Sequence, residues 1–397
     1  MKSKLLLSLL LLSFYYVSAT DRIVQENGAA GTFSTITAAI AASVNGDRVI
    51  VHPKIGGNPY VENITIDKTL EIASAEDGVR YKIQGNITLQ ALNNRTITII
   101  GAHITTGSIS GATAGWRTNV NIMGCIIEGG SISLSNQYYG TIVSNILENG
   151  SISISHGRIV GNELLNDGTF ISINNSTSIT DDTINIVANK VASISCSSDV
   201  FLNIYNNLIR KVSGVNGFRS IRYDFVSSTA NKLNIINNTI ILSNSASGGS
   251  SYNYYLDLKS PAFVKNTIFY RVNNGLSVAP NFFFGSGITV TASYNYYRTV
   301  SVVIPSEVNP VNLTADPVDI ATGQLILPTA ALNGADPSFQ FYDLDLSIGD
   351  AGCYGGSYSL DNYFPITGSS RVFWVDMPFG ITTNGAPLQI KAEGFDR

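Results

Sequence analysis

The chain has 397 residues, 36 of them glycine, a net charge of −4 and only 13% charged side chains. No basic stripe accompanies that balance, so a nucleic-acid partner is not expected, and no segment after the N-terminal leader is long and apolar enough to span a membrane. Cys125, Cys196 and Cys353 are odd in number and widely separated, and their aliphatic neighbours mark them as small buried hydrophobes rather than metal ligands.

Residues 1–19 have the form of a secretory signal. Lys2 and Lys4 open it, residues 5–17 are apolar, and Val17, Ser18 and Ala19 supply a small-residue cleavage site before Thr20. A membrane anchor would need a longer apolar run. The expectation is a secreted or cell-surface protein with no span left once the signal is removed. Ser34 is placed to cap a helix over 35–44, with Ile36, Ile40 and Val44 on one face and Gly46 ending it. Such a helix would lie across the open end of a stack of strands. Residues 47–51 and 60–66 then alternate with strand period.

From about residue 49 to residue 295 one frame returns: an Asn with an aliphatic residue two before and two after it. It reads Val143, Asn145, Leu147, then Val160, Asn162, Leu164, then Val187, Asn189, Val191, and again Ile236, Asn238, Ile240 and Val264, Asn266, Ile268. Tyr205, Asn207, Ile209 is a looser copy, and Gly replaces Asn in Ile122, Gly124, Ile126. The spacing between copies is irregular, which excludes most helical repeats and propellers but suits a solenoid whose coils carry loops of different length. Asn at each corner tolerates a left-handed backbone and can bond to the Asn one coil above. The frame predicts an all-β chain folded as a right-handed parallel β-helix, with Gly85 and Gly101 at early corners. It puts His103 in an inward position. Residues three after the corner, Arg210, Phe269 and Arg298, are expected to face outward.

The run from Phe33 through residues 46–53 to residues 60–66 resembles the opening of the pectin-lyase-like β-helix superfamily, and residues 54–59 replace the tighter turn usual there. This resemblance implies the fold. It leaves the activity open, because one scaffold carries many functions. After residue 295 the frame fades. Residues 343–356, with Asp343, Asp345, Asp350 and a Tyr-Gly-Gly, resemble the closing segment of secreted β-helix repeat proteins. The expected organisation is a signal (1–19), a β-helix with cap and closing segment (20–363), and a short β extension (364–397), in which 371–375 and 388–392 read as strands.

No complete catalytic motif of the superfamily is present. A pectin-methylesterase-like or polygalacturonase-like site has no full counterpart, and Asp181 and Asp182 read as a solvated turn. A calcium-assisted uronate lyase needs carboxylates for the ion (Ca2+) and a base for the proton alpha to the acid group. Asp181, Asp182 and Asp199 are the candidate ligands, with Arg210, Lys211, Arg219 and Arg222 as candidate bases or acid-binding groups. Asp343, Asp345 and Asp350 form a second candidate calcium set, since acidic residues two apart suit oxygen ligation. Aromatic residues concentrate late in the chain. Tyr252, Tyr254, Tyr255, Phe269 and Tyr270, with Arg298, are the candidate glycan-binding set, because exposed rings stack on sugars. A non-catalytic glycan-binding or structural role is the first expectation, and a pectate-lyase-like enzyme is the alternative.

Overall fold

A computed structural model describes residues 19–90, 93–111, 117–134, 138–174, 183–213, 216–226, 232–245, 252–273, 275–366, 371–376 and 391–395. Residues 1–18 of the expected signal (1–19), and Asp181 and Asp182, lie outside the described residues. The strands form three long faces of a parallel β-helix. The first face has 12 strands, from Asp21–Val24 to Val290–Ser293; the second has 12, from Tyr60–Val61 to Val311–Leu313; the third has 10, from Ile64–Ile66 to Asn281–Phe284. Each strand pairs in parallel with the equivalent strands one coil before and after, the arrangement that buries one flank of all three faces around a common axis.

Alternation explains the core. On the first face Ile122, Ile142, Ile159, Ile186 and Ile204 point inward, and on the second Ile127, Leu147, Ile209 and Ile240 do so; all belong to one continuous apolar column. Each fully buried aliphatic side chain of this kind contributes about 1.5–3 kcal/mol. The solenoid begins earlier than the frame suggested: Asp21–Val24 pairs with Arg48–Val51 before any corner Asn has appeared. The helix Ile36–Ala42 follows that first strand, so it is an insertion within the first coil. Its cap is Thr35, not Ser34, with the Thr35 hydroxyl accepting from the Ala38 amide at 3.1 Å. Ile36, Ala39 and Ile40 are buried in the same column as the strands, whereas Val44 is exposed.

The corner between first and second faces takes one left-handed residue followed by one buried polar residue. In most coils the Asn is the second of these. Ser144, Gly161, Ala188, Asn206, Asn237 and Tyr294 have φ between 52 and 62°, and Asn145, Asn162, Asn189, Asn207, Asn238 and Asn295 follow them, each fully buried. The left-handed role expected for Asn thus belongs to the preceding residue. The ladder role holds: Asn145 N and Nδ2 donate to Asn162 Oδ1 at 3.0 and 2.9 Å, and Asn162, Asn189 and Asn207 repeat the pattern upward. Each Nδ2 also donates to a backbone carbonyl of the coil below, as Asn145 does to Ile122 at 2.9 Å. No amide in this run is left unpaired, as burial requires. Thr267 and then Asn295 continue the line, and it stops at Glu307, whose Oε1 accepts from Asn295 N and Nδ2 at 2.9 and 2.8 Å and whose Oε2 accepts from the Tyr297 hydroxyl.

This geometry corrects three positions by one residue. Gly101, Gly124 and Asn266 are themselves the left-handed residues (φ 66, 61 and 51°), so the ladder positions are Ala102, Cys125 and Thr267. His103 therefore faces outward and bonds to Glu128 at 2.6 Å. Phe269 becomes the second residue after its ladder position, pairs with Ile240 and enters the core. The three cysteines are unpaired and buried, and burial pushes their thiols up, Cys125 to about 11 and Cys196 and Cys353 to about 12.

The closing segment runs back along the corner seam. Gly352 N donates to the Asn266 carbonyl at 2.8 Å, Cys353 N to Thr239 Oγ1 at 3.0 Å, and Asn206 and Asn237 donate to the Gly355 carbonyl. The Tyr363 ring then lies against Gly161, where a Cβ would come within 2.9 Å of it. Beneath this cover the outward residues Val143, Val160, Val187, Ile241 and Ile268 form a second apolar cluster with Leu360 and Tyr363. Further along, strands Arg371–Asp376 and Lys391–Phe395 pair antiparallel, and Arg158 is bonded to Glu393 and lies 5.4 and 5.5 Å from the Phe373 and Trp374 ring centres. Lys391 is described as part of the second strand, while residues 388–390 lie outside the described residues.

Candidate functional site

The outer flank of the third face is a single regular row. Seven successive rungs carry a hydroxyl: Thr65, Thr88, Ser110, Ser133, Ser153, Ser172 and Ser195, each directly above the last. All point away from the core, between buried aliphatic neighbours such as Ile152 and Ile154. Strand pairing sets their spacing at about 4.8 Å. At the corner leading into this face runs a second polar ladder that the frame did not announce. Asn63 Oδ1 accepts from Asn86 N, Asn86 Oδ1 from Ser108 N, Ser108 Oγ from Ser131 N, and Ser131 Oγ from Ser151 N, at 2.9–3.1 Å.

Above Ser195 the same row changes chemistry: Ser195 pairs with Arg222, Arg222 with Asp257, and Asp257 with Phe283. Around these rungs gathers a compact cluster. Arg219 Nε meets Asp257 Oδ2 at 2.5 Å, Arg222 Nη2 meets Asp224 Oδ2 at 2.6 Å, and Lys259 Nζ meets Asp224 Oδ1 at 2.5 Å. The Lys259 bond first, and the nearby Arg222 and Arg219 charges, hold the Asp224 carboxyl below the usual carboxylate range against the opposing effect of burial. Arg219 lies 5.5 Å from the Tyr254 ring centre, Tyr252 and Tyr254 are 6.2 Å apart, and Tyr254 and Phe283 meet edge to face at 5.9 Å. Phe283 is 43% exposed, and Tyr252 and Tyr254 are half-buried.

The sequence candidates are thus divided. Arg219 and Arg222 stand together with Tyr252 and Tyr254. Arg210 and Lys211 are on the second face: Arg210 lies 3.7 Å from Asp167, and Lys211 donates to the Asp167 carbonyl at 2.7 Å and sits over the Phe218 ring. The four basic residues therefore do not form one centre. Arg210 does point outward, and so does Arg298, which pairs with Asp316 at 2.8 Å. Tyr270 is buried in the seam cluster, and burial, with Asp316 beside it, pushes its hydroxyl up to about 12. Tyr255 and Phe269 are corrections: both are fully buried, packed edge to face at 5.5 Å in the core, and neither presents a ring to solvent.

The acidic candidates serve local structure. Asp199 pairs with Lys232 at 2.6 Å. Asp343 accepts from Gly356 N at 2.5 Å, Asp345 from Ser347 N and Oγ, and Asp350 from Asn333 N at 2.7 Å, so each carboxylate caps a turn of the closing segment. Burial pushes Asp343 and Asp350 up, with like charge from Asp345 adding to both, while Ser347 holds Asp345 down. Among the described residues no group of three or more His, Cys, Asp or Glu side chains converges as a metal site would. Asp224, Asp257 and Lys259 were not singled out in the sequence. Their signal was the outward phase of Asp257 within an otherwise apolar strand, Tyr254–Leu258.

No family model matches the sequence, and no curated protein matches it. Among solved structures, the crystal structure of pectate lyase Pel9A aligns over 86% of this chain and 98% of its own, with a TM-score of 0.44 and 11% identity. The class is defined by the three stacked parallel faces themselves: the protein is a parallel β-helix, the fold that its opening residues imply.

Proposed function

We propose that the protein is a non-catalytic glycan-binding β-helix, acting outside the cell or at its surface, whose binding surface is the outer flank of the third face. The observation that carries this reading is the meeting of Tyr252, Tyr254 and Phe283 with Arg219 and Arg222 at the upper end of a row of hydroxyls. Rings bind the apolar faces of sugars, and planar guanidinium groups and hydroxyls bond to their edges. A linear chain lying along the solenoid axis would meet the rings at one end and the hydroxyls along its length. Arg219, Arg222 and Lys259 each already hold a carboxylate, which suits recognition of a neutral chain better than proton abstraction from a uronate. The signal-like pattern of residues 1–19, a basic start, an apolar run and small residues before Thr20, supports the extracellular reading.

The test is retention and turnover measured together. Purified protein is incubated with neutral and acidic polysaccharides, with and without calcium; bound polymer is followed by pull-down and unsaturated products by ultraviolet absorbance. Retention of a neutral polymer without products, reduced in Phe283→Ala, supports the proposal. Calcium-dependent unsaturated products would replace it with a lyase.

A further inference from the structure

Where the closing segment crosses the corners of two late coils, it leaves a cavity of about 190 Å³. Tyr205, Phe341 and Tyr358 supply aromatic walls, and the exposed Gln340 and Ser357 mark its mouth. Tyr205 and Tyr358 lie nearly parallel, 6.3 Å between ring centres. Asn237 also lines the cavity and is only 3% exposed. Its Nδ2 donates to the Gly355 carbonyl at 3.0 Å, and Gly356, which has no Cβ to strike that nitrogen, allows the close approach. Turning the amide over would set oxygen against the Gly355 carbonyl, so the partner fixes its orientation. The other end, Oδ1, is buried and accepts no hydrogen bond among the described residues. Buried acceptors are nearly always satisfied, and this one belongs to a residue of the cavity wall.

We propose that this cavity is a second binding site, separate from the third face, for one neutral sugar residue. The apolar face of the ring lies against the aromatic walls, and a hydroxyl donates to Asn237 Oδ1. The lining selects this class. A purely apolar guest leaves the acceptor orphaned, and an anion would face a carbonyl oxygen with no cation among the lining residues. The site stands on its own residues and does not depend on the reading of the third face.

Saturation-transfer NMR on the full protein tests it, using glucose, galactose, xylose and N-acetylglucosamine, with glucuronate and indole as contrasting guests. The expected result, read in the Phe283→Ala background so that the third face contributes least, is transfer to at least one neutral sugar, weakened about tenfold or more when Ser357→Phe is added, which plugs the mouth from an exposed position. A thermal melt accompanies each variant. If Ser357→Phe melts below the wild type, Gln340→Trp blocks the same mouth from another side and is read the same way. Absence of transfer to every neutral sugar, which would mean that water fills the cavity, overturns the proposal. So does binding that persists unchanged with the mouth blocked, or binding of indole with which no sugar competes. Loss in Phe283→Ala but not in Ser357→Phe would assign the signal to the third face instead.

Discussion

The seam and the third face are built from the same repeat, yet their outward rows have opposite character. At the seam, rungs Val143, Val160 and Val187 are apolar and fully buried under the closing segment. On the third face, rungs Ser133, Ser153, Ser172 and Ser195 carry hydroxyls and stay accessible. The backbone does not distinguish them, since both are outward positions of parallel strands at the same spacing. What differs is whether another part of the chain comes back to cover them. An outward row in a solenoid therefore reports its neighbour: apolar where the chain returns to it, hydroxyl-bearing where solvent or a ligand meets it.

The harshest way to break this contrast is to put a charge under the cover. Val187→Asp should cost about 4 kcal/mol or more, because the carboxylate would be buried without a partner; a thermal melt and proteolysis of the closing segment would show it. If the variant melts like the wild type, the closing segment does not lie over the seam. Next in size is the Asn ladder in the corner beneath the seam. Asn238→Ala should lower stability by about 1–3 kcal/mol in a denaturant titration, because Asn207 N and Nδ2 lose their acceptor. On the third face, Phe283→Ala should leave the melt nearly unchanged and weaken polymer retention about tenfold; equal retention would remove the aromatic end from the binding surface. Acid should also loosen the C-terminal strands. Burial opposes ionisation of Glu393, but its bonds to Arg158 and Lys391 outweigh that and hold its carboxyl below the ordinary value of 4.5. Its stabilising contribution is present above 4.5 and is lost as pH falls through the lowered value. Hydrogen exchange of residues 371–376 should therefore quicken as the solution is acidified below 4.5, and Glu393→Gln should abolish that dependence. The smallest effect belongs to the uncovered row: Ser153→Ala should shift stability by less than about 0.5 kcal/mol.

The fold was legible because the frame couples two independent requirements, an aliphatic side chain facing the axis and an amide in the corner. The one-residue slips at Gly101, Gly124 and Asn266 were not legible. Gly and Asn both accept the left-handed backbone, so either satisfies the corner without being its ladder residue, and Cys125 or Thr267 gives no sign of holding that place. That slip turned Phe269 from an outward ring into a core one. The candidate site was half visible. Arg219, Arg222, Tyr252 and Tyr254 were found by residue type, but the register that aligns Arg222, Asp257 and Phe283 depends on loops of unequal length. The strand Asp21–Val24 carries no corner and no Asn, so nothing in its four residues announced a coil.

Glu307 also sets a boundary. In the line below it each amide passes a hydrogen bond forward because it both accepts and donates. A carboxylate that accepts on both oxygens has nothing to pass on. The backbone of Val311–Leu313 still pairs with Tyr296–Arg298, but the side-chain line hands on nothing beyond Glu307, so it has a terminus written in its chemistry rather than in its length. The corner Asn residues from Asn145 to Asn207 each hand the bond on to the next coil, and at Glu307 that hand-over ends in a single residue.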